Sequence, residues 1–333
     1  MNSKIVGVGH YVPENVVTND DLTKFIDTTD EWIQERTGIK ERRWFNPDKD
    51  TVANMATRAS KLALERAGLD AKDIEFIIFA TITPDYFFPG SGVLLQRELG
   101  LTGEVAAMDI RNACSGFIYG LSTADAFIKS GMYKTILVVG AEIQSSALDQ
   151  STAGRSTNVI FADGAGAAIV QATEENTGVL TTHLHSDGNF AEELYVKDPG
   201  SSRKVRLSTE LIEGPSFKVY MNGNQVFKHA VVRFEEVIKE ALDATGKTTD
   251  DLDLFIPHQA NLRISQFVQR KLQLPDDKVF NNIMHYGNTT AASIPIAMSE
   301  AWEQGKLKKG NLLCLAAFGS GYTWASALID WSC

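Results

Sequence analysis

Gly68-Leu-Asp-Ala-Lys-Asp-Ile-Glu-Phe-Ile-Ile-Phe-Ala-Thr81 returns 178 residues later as Gly246-Lys-Thr-Thr-Asp-Asp-Leu-Asp-Leu-Phe-Ile-Pro-His-Gln259. In each copy a glycine closes a helical stretch, Leu64–Gly68 or Leu242–Gly246, and an apolar run follows. The run Glu75–Thr81 is continuous rather than alternating, as in a strand buried on both faces. A second correspondence pairs Cys114–Gly131 with Asn288–Gly305 at an offset of 174. Each of these helices leads through a basic turn into an apolar strand, Thr135–Gly140 or Leu312–Ala317. Two matches at nearly one offset argue for a duplicated α/β unit of half the chain, divided as residues 1–175 and 176–333. The competing reading is chance similarity between two βα units. The period is far too long for a solenoid array.

Working outward, Ile5–Val8 reads as a short strand, and Leu22–Thr37 and Val52–Ala67 as helices stopped by Gly38 and Gly68. Val93–Leu99 reads as a helix, Val105–Ile110 as a strand and Gly116–Ser130 as a helix. Strands separated by helices imply an α/β fold with parallel sheets under helix cover. Thr177–Lys218 is the least regular region and reads as a loop excursion at the mouth of a site. The duplication places Cys114 and Asn288 at equivalent helix starts, and Ala80 and His258 at equivalent strand ends. Junctions and strand C-termini are where α/β folds build ligand sites.

The 333 residues carry 42 Asp+Glu against 32 Lys+Arg, a net charge of −10, with 44% hydrophobic residues. That balance excludes disorder and a broad basic surface for nucleic acid or an anionic membrane. Three cysteines without a CxxC pair suit a reducing compartment. Met1–Val12 reads as a first strand rather than a signal peptide, and the apolar runs are far shorter than a membrane span. A cytoplasmic protein is expected.

Asp109-Ile-Arg-Asn-Ala-Cys114-Ser-Gly-Phe-Ile-Tyr-Gly sets a cysteine between a strand and a helix. A helix N-terminus offers unpaired N–H groups and a partial positive charge, which favour thiolate. The alternative is a small buried cysteine of the core, which is the reading for Cys314 and Cys333. His258 follows an apolar strand, where a hydrogen-bonded structural role competes with catalysis. Asn288 opens a helix, either as its cap or as an amide donor to an oxyanion. His183 and His185 alternate on a strand, but two ligands make an incomplete metal site. Phe161-Ala-Asp-Gly-Ala-Gly-Ala-Ala lacks the lysine of a phosphate loop and reads as close packing between halves. Phe318-Gly-Ser-Gly-Tyr-Thr-Trp offers either a plain turn or a backbone N–H for a reacting carbonyl.

Ala113-Cys114-Ser-Gly-Phe-Ile-Tyr-Gly, Pro257-His258-Gln-Ala-Asn-Leu-Arg and Tyr286-Gly-Asn288-Thr together resemble the β-ketoacyl-[acyl-carrier-protein] synthase III family. So do Asp27-Thr-Thr-Asp-Glu-Trp32-Ile-Gln-Glu-Arg36, Met221-Asn-Gly-Asn-Gln-Val-Phe227-Lys228, and Arg155 ahead of the Phe161 stretch. The resemblance spans nearly the whole chain. It implies a thiolase fold of five αβαβα layers in two duplicated halves, and a homodimer. It also implies a Cys114–His258–Asn288 triad and an oxyanion hole from the backbone N–H groups of Cys114 and Ser320. Thr28, Trp32, Arg36, Arg155, Phe227 and Asn261 resemble the residues that line the coenzyme A tunnel. Lys228 and Arg263 resemble the basic spot that meets acyl-carrier protein, with Arg42 and Arg43 as further candidates for that positive rim. Phe88 resembles the aromatic that closes the neighbour's acyl pocket. Ser320 stands where the family commonly has the middle glycine of a Gly-Gly-Gly turn, a change that keeps the backbone N–H. Arg111-Asn112 is a further departure.

The implied reaction is a decarboxylating Claisen condensation. Cys114 takes the acyl group from acyl-CoA, and malonyl-acyl-carrier protein loses carbon dioxide and attacks the acyl-enzyme. The β-ketoacyl product starts fatty-acid synthesis, and acyl-CoA is substrate, with no metal or other cofactor. Three alternatives remain. One is a same-fold enzyme of a specialised pathway using a longer, branched or unusual primer. Another is a catalytically silent acyl-binding subunit. The last is a thiol-dependent acyltransferase or hydrolase that forms no carbon–carbon bond.

Overall fold

The computed structural model describes all 333 residues. Its first strands are β1 (Asn2–Tyr11), β2 (Asn15–Thr18), β3 (Glu41–Trp44), β4 (Phe76–Ala80), β5 (Ala106–Ile110), β6 (Thr135–Glu142) and β7 (Gly164–Thr173). After them come β8 (Gly178–Ser186), β9 (Leu194–Tyr195), β10 (Tyr220–Met221), β11 (Leu254–Pro257), β12 (Leu312–Gly319) and β13 (Thr323–Asp330). The helices of eight or more residues are α1 (Asp30–Thr37), α2 (Val52–Ala67), α3 (Ser91–Glu98) and α4 (Gly116–Lys129), then α5 (Gly223–Thr245), α6 (Leu262–Lys271) and α7 (Ser293–Glu303).

Two sheets carry the fold. One has strand order β1-β7-β6-β4-β5 and the other β11-β12-β13-β8, while β2 pairs with β3 and β9 with β10. Both sheets are mixed rather than parallel. β4 runs parallel to β5 and β6, and β11 to β12, but β7 and β13 are antiparallel to their neighbours. Both reversals arise where the next strand follows without a long helical crossover, β6 to β7 through short turns and β12 to β13 through a tight hairpin.

Successive side chains of a strand point to opposite faces, and the apolar residues sort accordingly. On β4, Ile77 and Phe79 pack with Met55, Ala59 and Ala63 of α2, whereas Phe76 and Ile78 face the centre. On β12, Leu313, Leu315 and Ala317 face the centre, whereas Leu312, Cys314 and Phe318 pack with Phe234 and Val237 of α5 and Val268 of α6. Between the sheets lie Phe117, Leu121 and Ile128 of α4 with Ile294, Ala297 and Met298 of α7. The order is therefore helices, sheet, α4 and α7, sheet, helices: five layers.

The repeat of 178 residues holds in three dimensions. α2 and α5 end at Gly68 (φ 67°) and Gly246 (φ 68°), both in the left-handed conformation that glycine adopts without strain. A short 3₁₀ turn then precedes each strand, at Ala71–Asp73 and at Thr249–Asp251. The second correspondence needs adjustment. Ala113 (φ 44°) and Thr290 (φ 52°) are the matching strained residues, each opening a 3₁₀ turn that runs into α4 or α7. Cys114 is therefore matched by Ala291, not by Asn288. The offset of 174 comes from the far ends, because α7 has 11 residues and α4 has 14.

Two segments depart from expectation. Leu22–Thr37 is not one helix: only Asp30–Thr37 is a helix of any length, and Thr29 caps it by accepting the Trp32 N–H. Gly178–Ser186 is a strand at the edge of the second sheet, favoured by the β-branched Val179, Thr181 and Thr182. The irregular excursion begins only after it.

Candidate active site

Cys114 sits where the first half's β5 turns into α4, and its neighbours leave almost no space. A Cβ on Gly319, at the end of β12, would lie 2.5 Å from Cys114 Cβ and 2.9 Å from its Sγ. Ser115 Oγ meets Thr323 Oγ1 at 2.6 Å, which ties the Cys114 turn to β13. Cys114 is thereby gripped by the second half's sheet.

Burial pushes the Cys114 thiol up to about 12, with Glu142 adding to the rise, while the backbone N–H groups of Ser320 and Cys114 pull the other way. Desolvation outweighs these two N–H groups, and the resting group is a neutral thiol. Those two N–H groups nevertheless reach the sulfur, as donors for an oxyanion formed there must. Ser320 uses its hydroxyl elsewhere, donating to the Leu194 carbonyl.

His258 follows β11, its N–H bonded to the Ala316 carbonyl at 2.8 Å. Its ring is buried and held at Nδ1 by Ser293 Oγ at 2.6 Å, while Nε2 has no partner. Burial drops the imidazole to about 3, so it is neutral at physiological pH. Gln259 braces the same turn. Its Nε2 donates to the Pro257 carbonyl, and its Oε1 accepts the N–H groups of Asn282 and Ile283. Asn288 is fixed by backbone bonds to Ile160 and Ala162, and its Oδ1 accepts the Thr290 N–H at 2.8 Å. That leaves the amide NH₂ as its free donor.

Two cavities meet at Cys114. The narrower, about 100 Å³, is lined by Cys114, Phe161, Phe227, His258, Asn261 and Asn288. The larger, about 930 Å³, is lined on its apolar side by Ile82, Phe87, Ile143, Leu194, Val196 and Phe217. The irregular segment after Ser186 supplies part of that wall, as expected of a loop excursion at the site.

The narrow cavity opens beside a chain of contacts. Arg155 lies over the Trp32 ring at 4.8 Å and Arg36 over it at 5.5 Å. Asn261 donates to the Arg36 carbonyl at 3.0 Å, and Arg263 lies 6.0 Å from the Phe227 ring. Thr28 leaves a buried hydroxyl without a partner. Lys228 and Arg263 are exposed and form no ion pair. Arg42 and Arg43 do not join this rim. Arg42 is wholly buried and donates to the Val17 and Val159 carbonyls and to Asn19 Oδ1, and Arg43 lies over Tyr286 and pairs with Glu41. Phe88 is 80% exposed and lines neither of the two cavities at Cys114, whereas Phe87 lines the larger one under Arg206.

Other sequence features resolve as structure. His183 and His185 both reach Glu240, at 3.2 and 2.6 Å. Gly166 of β7 admits α7, since a Cβ there would lie 2.7 Å from Pro295. Sequence reasoning missed Ser293, Gln259 and Glu142. The buried Glu142 accepts bonds from Thr81, Ile82 and Thr83 at the cavity wall.

Residues 108–188 match the family described as 3-oxoacyl-[acyl-carrier-protein] synthase III, and residues 242–331 match its C-terminal part. The β-ketoacyl-[acyl-carrier-protein] synthase III of Caldanaerobacter subterraneus is 45% identical over 98% of this chain and 97% of its own. That of Aquifex aeolicus is 46% identical over 99% of both chains. The crystal structure of 3-oxoacyl-[acyl-carrier-protein] synthase III from Aquifex aeolicus superposes with a TM-score of 0.91, covering 99% of this chain and 100% of that one at 45% identity. The priming β-ketosynthase of the R1128 polyketide pathway follows at 0.90 and 33% identity, covering 99% and 97%. The fold is the thiolase fold, and the protein is an enzyme of the acyl-transferring, condensing class. Within that class the chain belongs to the β-ketoacyl-[acyl-carrier-protein] synthase III family.

Proposed function

We propose that the chain catalyses the decarboxylating condensation of an acyl-CoA primer with malonyl-acyl-carrier protein, the step that initiates fatty-acid synthesis. The observation that carries this reading is Cys114 at the meeting point of two cavities, one holding His258 and Asn288 and the other apolar. The synthase III relatives at 45–46% identity favour the initiating condensation over a specialised-pathway primer.

Cys114 adds to the thioester carbonyl, and the backbone N–H groups of Cys114 and Ser320 hold the oxyanion. Coenzyme A leaves as a thiol and carries away the proton that Cys114 loses. Malonyl-acyl-carrier protein then enters, and its thioester carbonyl accepts hydrogen bonds from His258 and Asn288. Carbon dioxide departs, and the enolate carbon attacks the acyl-Cys114 carbonyl and expels the Cys114 sulfur. A neutral imidazole suits this role, since it donates a hydrogen bond without bringing a second acid.

Trp32, Arg36, Arg155, Thr28, Phe227 and Asn261 hold coenzyme A along the rim, in support of which Arg155, Trp32 and Arg36 stack and Asn261 joins Arg36. Lys228 and Arg263 meet the acidic carrier protein. Two copies associate, with Phe88 closing the partner's acyl cavity; the edge strand β5 and the exposed Phe88 support this. The halves divide at residue 175, between the last strand of one sheet and the first of the other. The chemistry draws only on thiol, imidazole, amide and backbone N–H groups, so acyl-CoA is substrate and no cofactor is called for. No helix is long and apolar enough to cross a membrane, in keeping with a cytoplasmic site of action.

His258→Ala tests the division of labour. Acylation of Cys114 by acyl-CoA should stay within about threefold of wild type, and malonyl decarboxylation should fall by roughly 10²–10³. Equal loss of both half-reactions contradicts the enolate role.

A further inference from the structure

A neutral imidazole donates from one nitrogen and accepts at the other, and a site that uses it as a donor must fix which is which. His258 is the one ionisable side chain in the narrow cavity beside Cys114, and its Nε2 is buried there with no partner. Its Nδ1 lies 2.6 Å from Ser293 Oγ. The hydroxyl has one proton and two lone pairs. One lone pair takes the Gln259 backbone N–H at 3.4 Å. Ser293 is buried, and His258 Nδ1 is the only acceptor its proton meets. The proton therefore points to Nδ1, and the ring's own hydrogen must sit on Nε2.

We infer that Ser293 is a positioning residue that holds His258 as an Nε2–H donor aimed into the cavity shared with Cys114 and Asn288. The inference rests on the reading of His258 as the donor to the malonyl thioester carbonyl. Its place in the chain explains its reach. Ser293 is the first residue of α7, five residues after Asn288, and it spans to the end of β11. One hydroxyl thus registers the two amide and imidazole donors against each other. It also removes His258 as a base for the Cys114 thiol, because the nitrogen near the cavity already carries a proton.

The test uses full-length wild type, Ser293→Ala and Ser293→Thr. Acylation of Cys114 by acetyl-CoA is read by intact mass, and malonyl-acyl-carrier protein decarboxylation by carbon dioxide release. Ser293→Ala should acylate within about threefold of wild type and decarboxylate about 100-fold more slowly, the scale of losing one aligned donor. Ser293→Thr restores the hydroxyl and should recover most of the rate. Selective ¹⁵N labelling of the imidazoles, with His258 assigned by its absence in His258→Ala, should show a protonated Nε2 in wild type. Wild-type decarboxylation by Ser293→Ala, equal loss of both half-reactions, or a wild-type spectrum with the proton on Nδ1 overturns the inference. If wild type itself acylates but forms no condensation product, the proposed function fails instead, and the imidazole spectrum still decides the tautomer. If Ser293→Ala does not fold, the threonine variant and that spectrum decide.

Discussion

Gly319 and Cys114 touch so closely that no side chain fits between them: a Cβ at 319 would lie 2.5 Å from Cys114 Cβ and 3.1 Å from its backbone nitrogen. The Cys114 turn of one half rests directly on the end of β12 in the other. Gly319→Ala must therefore displace either β12 or the Cys114 turn. We expect a stability loss of about 1–3 kcal/mol from overpacking and an acylation rate at least ~100-fold lower, since misplacement by about 1 Å costs that much. Thermal unfolding and intact-mass acylation check both; an alanine variant that acylates at the wild-type rate contradicts the close fit.

Two guanidinium groups approach the Trp32 ring, Arg155 at 4.8 Å and Arg36 at 5.5 Å. A planar base stacks on such a platform and phosphates pair with its flanks. Trp32→Ala should raise KM for acyl-CoA about tenfold, roughly 1.4 kcal/mol, and leave kcat nearly unchanged. Steady-state kinetics with acyl-CoA varied provide the check. A fall in kcat at constant KM removes the coenzyme role.

Glu142 is buried, and desolvation lifts its carboxyl to about 7 despite bonds from Thr81, Ile82 and Thr83. The folded state therefore holds this proton more tightly than the unfolded chain, whose ordinary value is 4.5. Stability from this group is fully present below 4.5 and is lost as pH rises through about 7. Relative to Glu142→Gln, which cannot titrate, wild type should lose about 2 kcal/mol between pH 5 and pH 8. Urea unfolding of both proteins at the two pH values measures it. A difference that is flat with pH, or that grows in favour of wild type, contradicts the assignment.

Much of this was legible in the chain, for identifiable reasons. The Gly68–Thr81 and Gly246–Gln259 repeat disclosed the duplication because helix stop, turn and buried strand each leave a local signature. The antiparallel strand β7 escaped because a Gly-Ala-rich stretch mimics a packing loop, whereas β8 was legible only in its alternating Thr-His-Leu-His part. The place of Cys114 between a strand and a helix was legible, but its protonation was not. The helix N-terminus is read from sequence, whereas the burial that raises the thiol involves Gly319, far along the chain. The parts of Ser293 and Gln259 were invisible for the same reason: Ser293 meets His258 Nδ1, and Gln259 ties the His258 turn to Asn282 and Ile283, only once the fold brings them together. Arg42 looked like a surface cation until the fold wrapped it in the Val17 and Val159 carbonyls.

In the proposed reaction Cys114 carries an acyl group to a carbon nucleophile. The direct measurement is to incubate the full-length protein with a panel of acyl-CoAs, weigh the adduct on Cys114, then add malonyl-acyl-carrier protein and look for the β-ketoacyl product. We expect one acyl group per chain on Cys114, none on Cys114→Ala, and its conversion to β-ketoacyl-carrier protein with release of one carbon dioxide. Acylation that ends in hydrolysis, or no adduct with any donor, would contradict it.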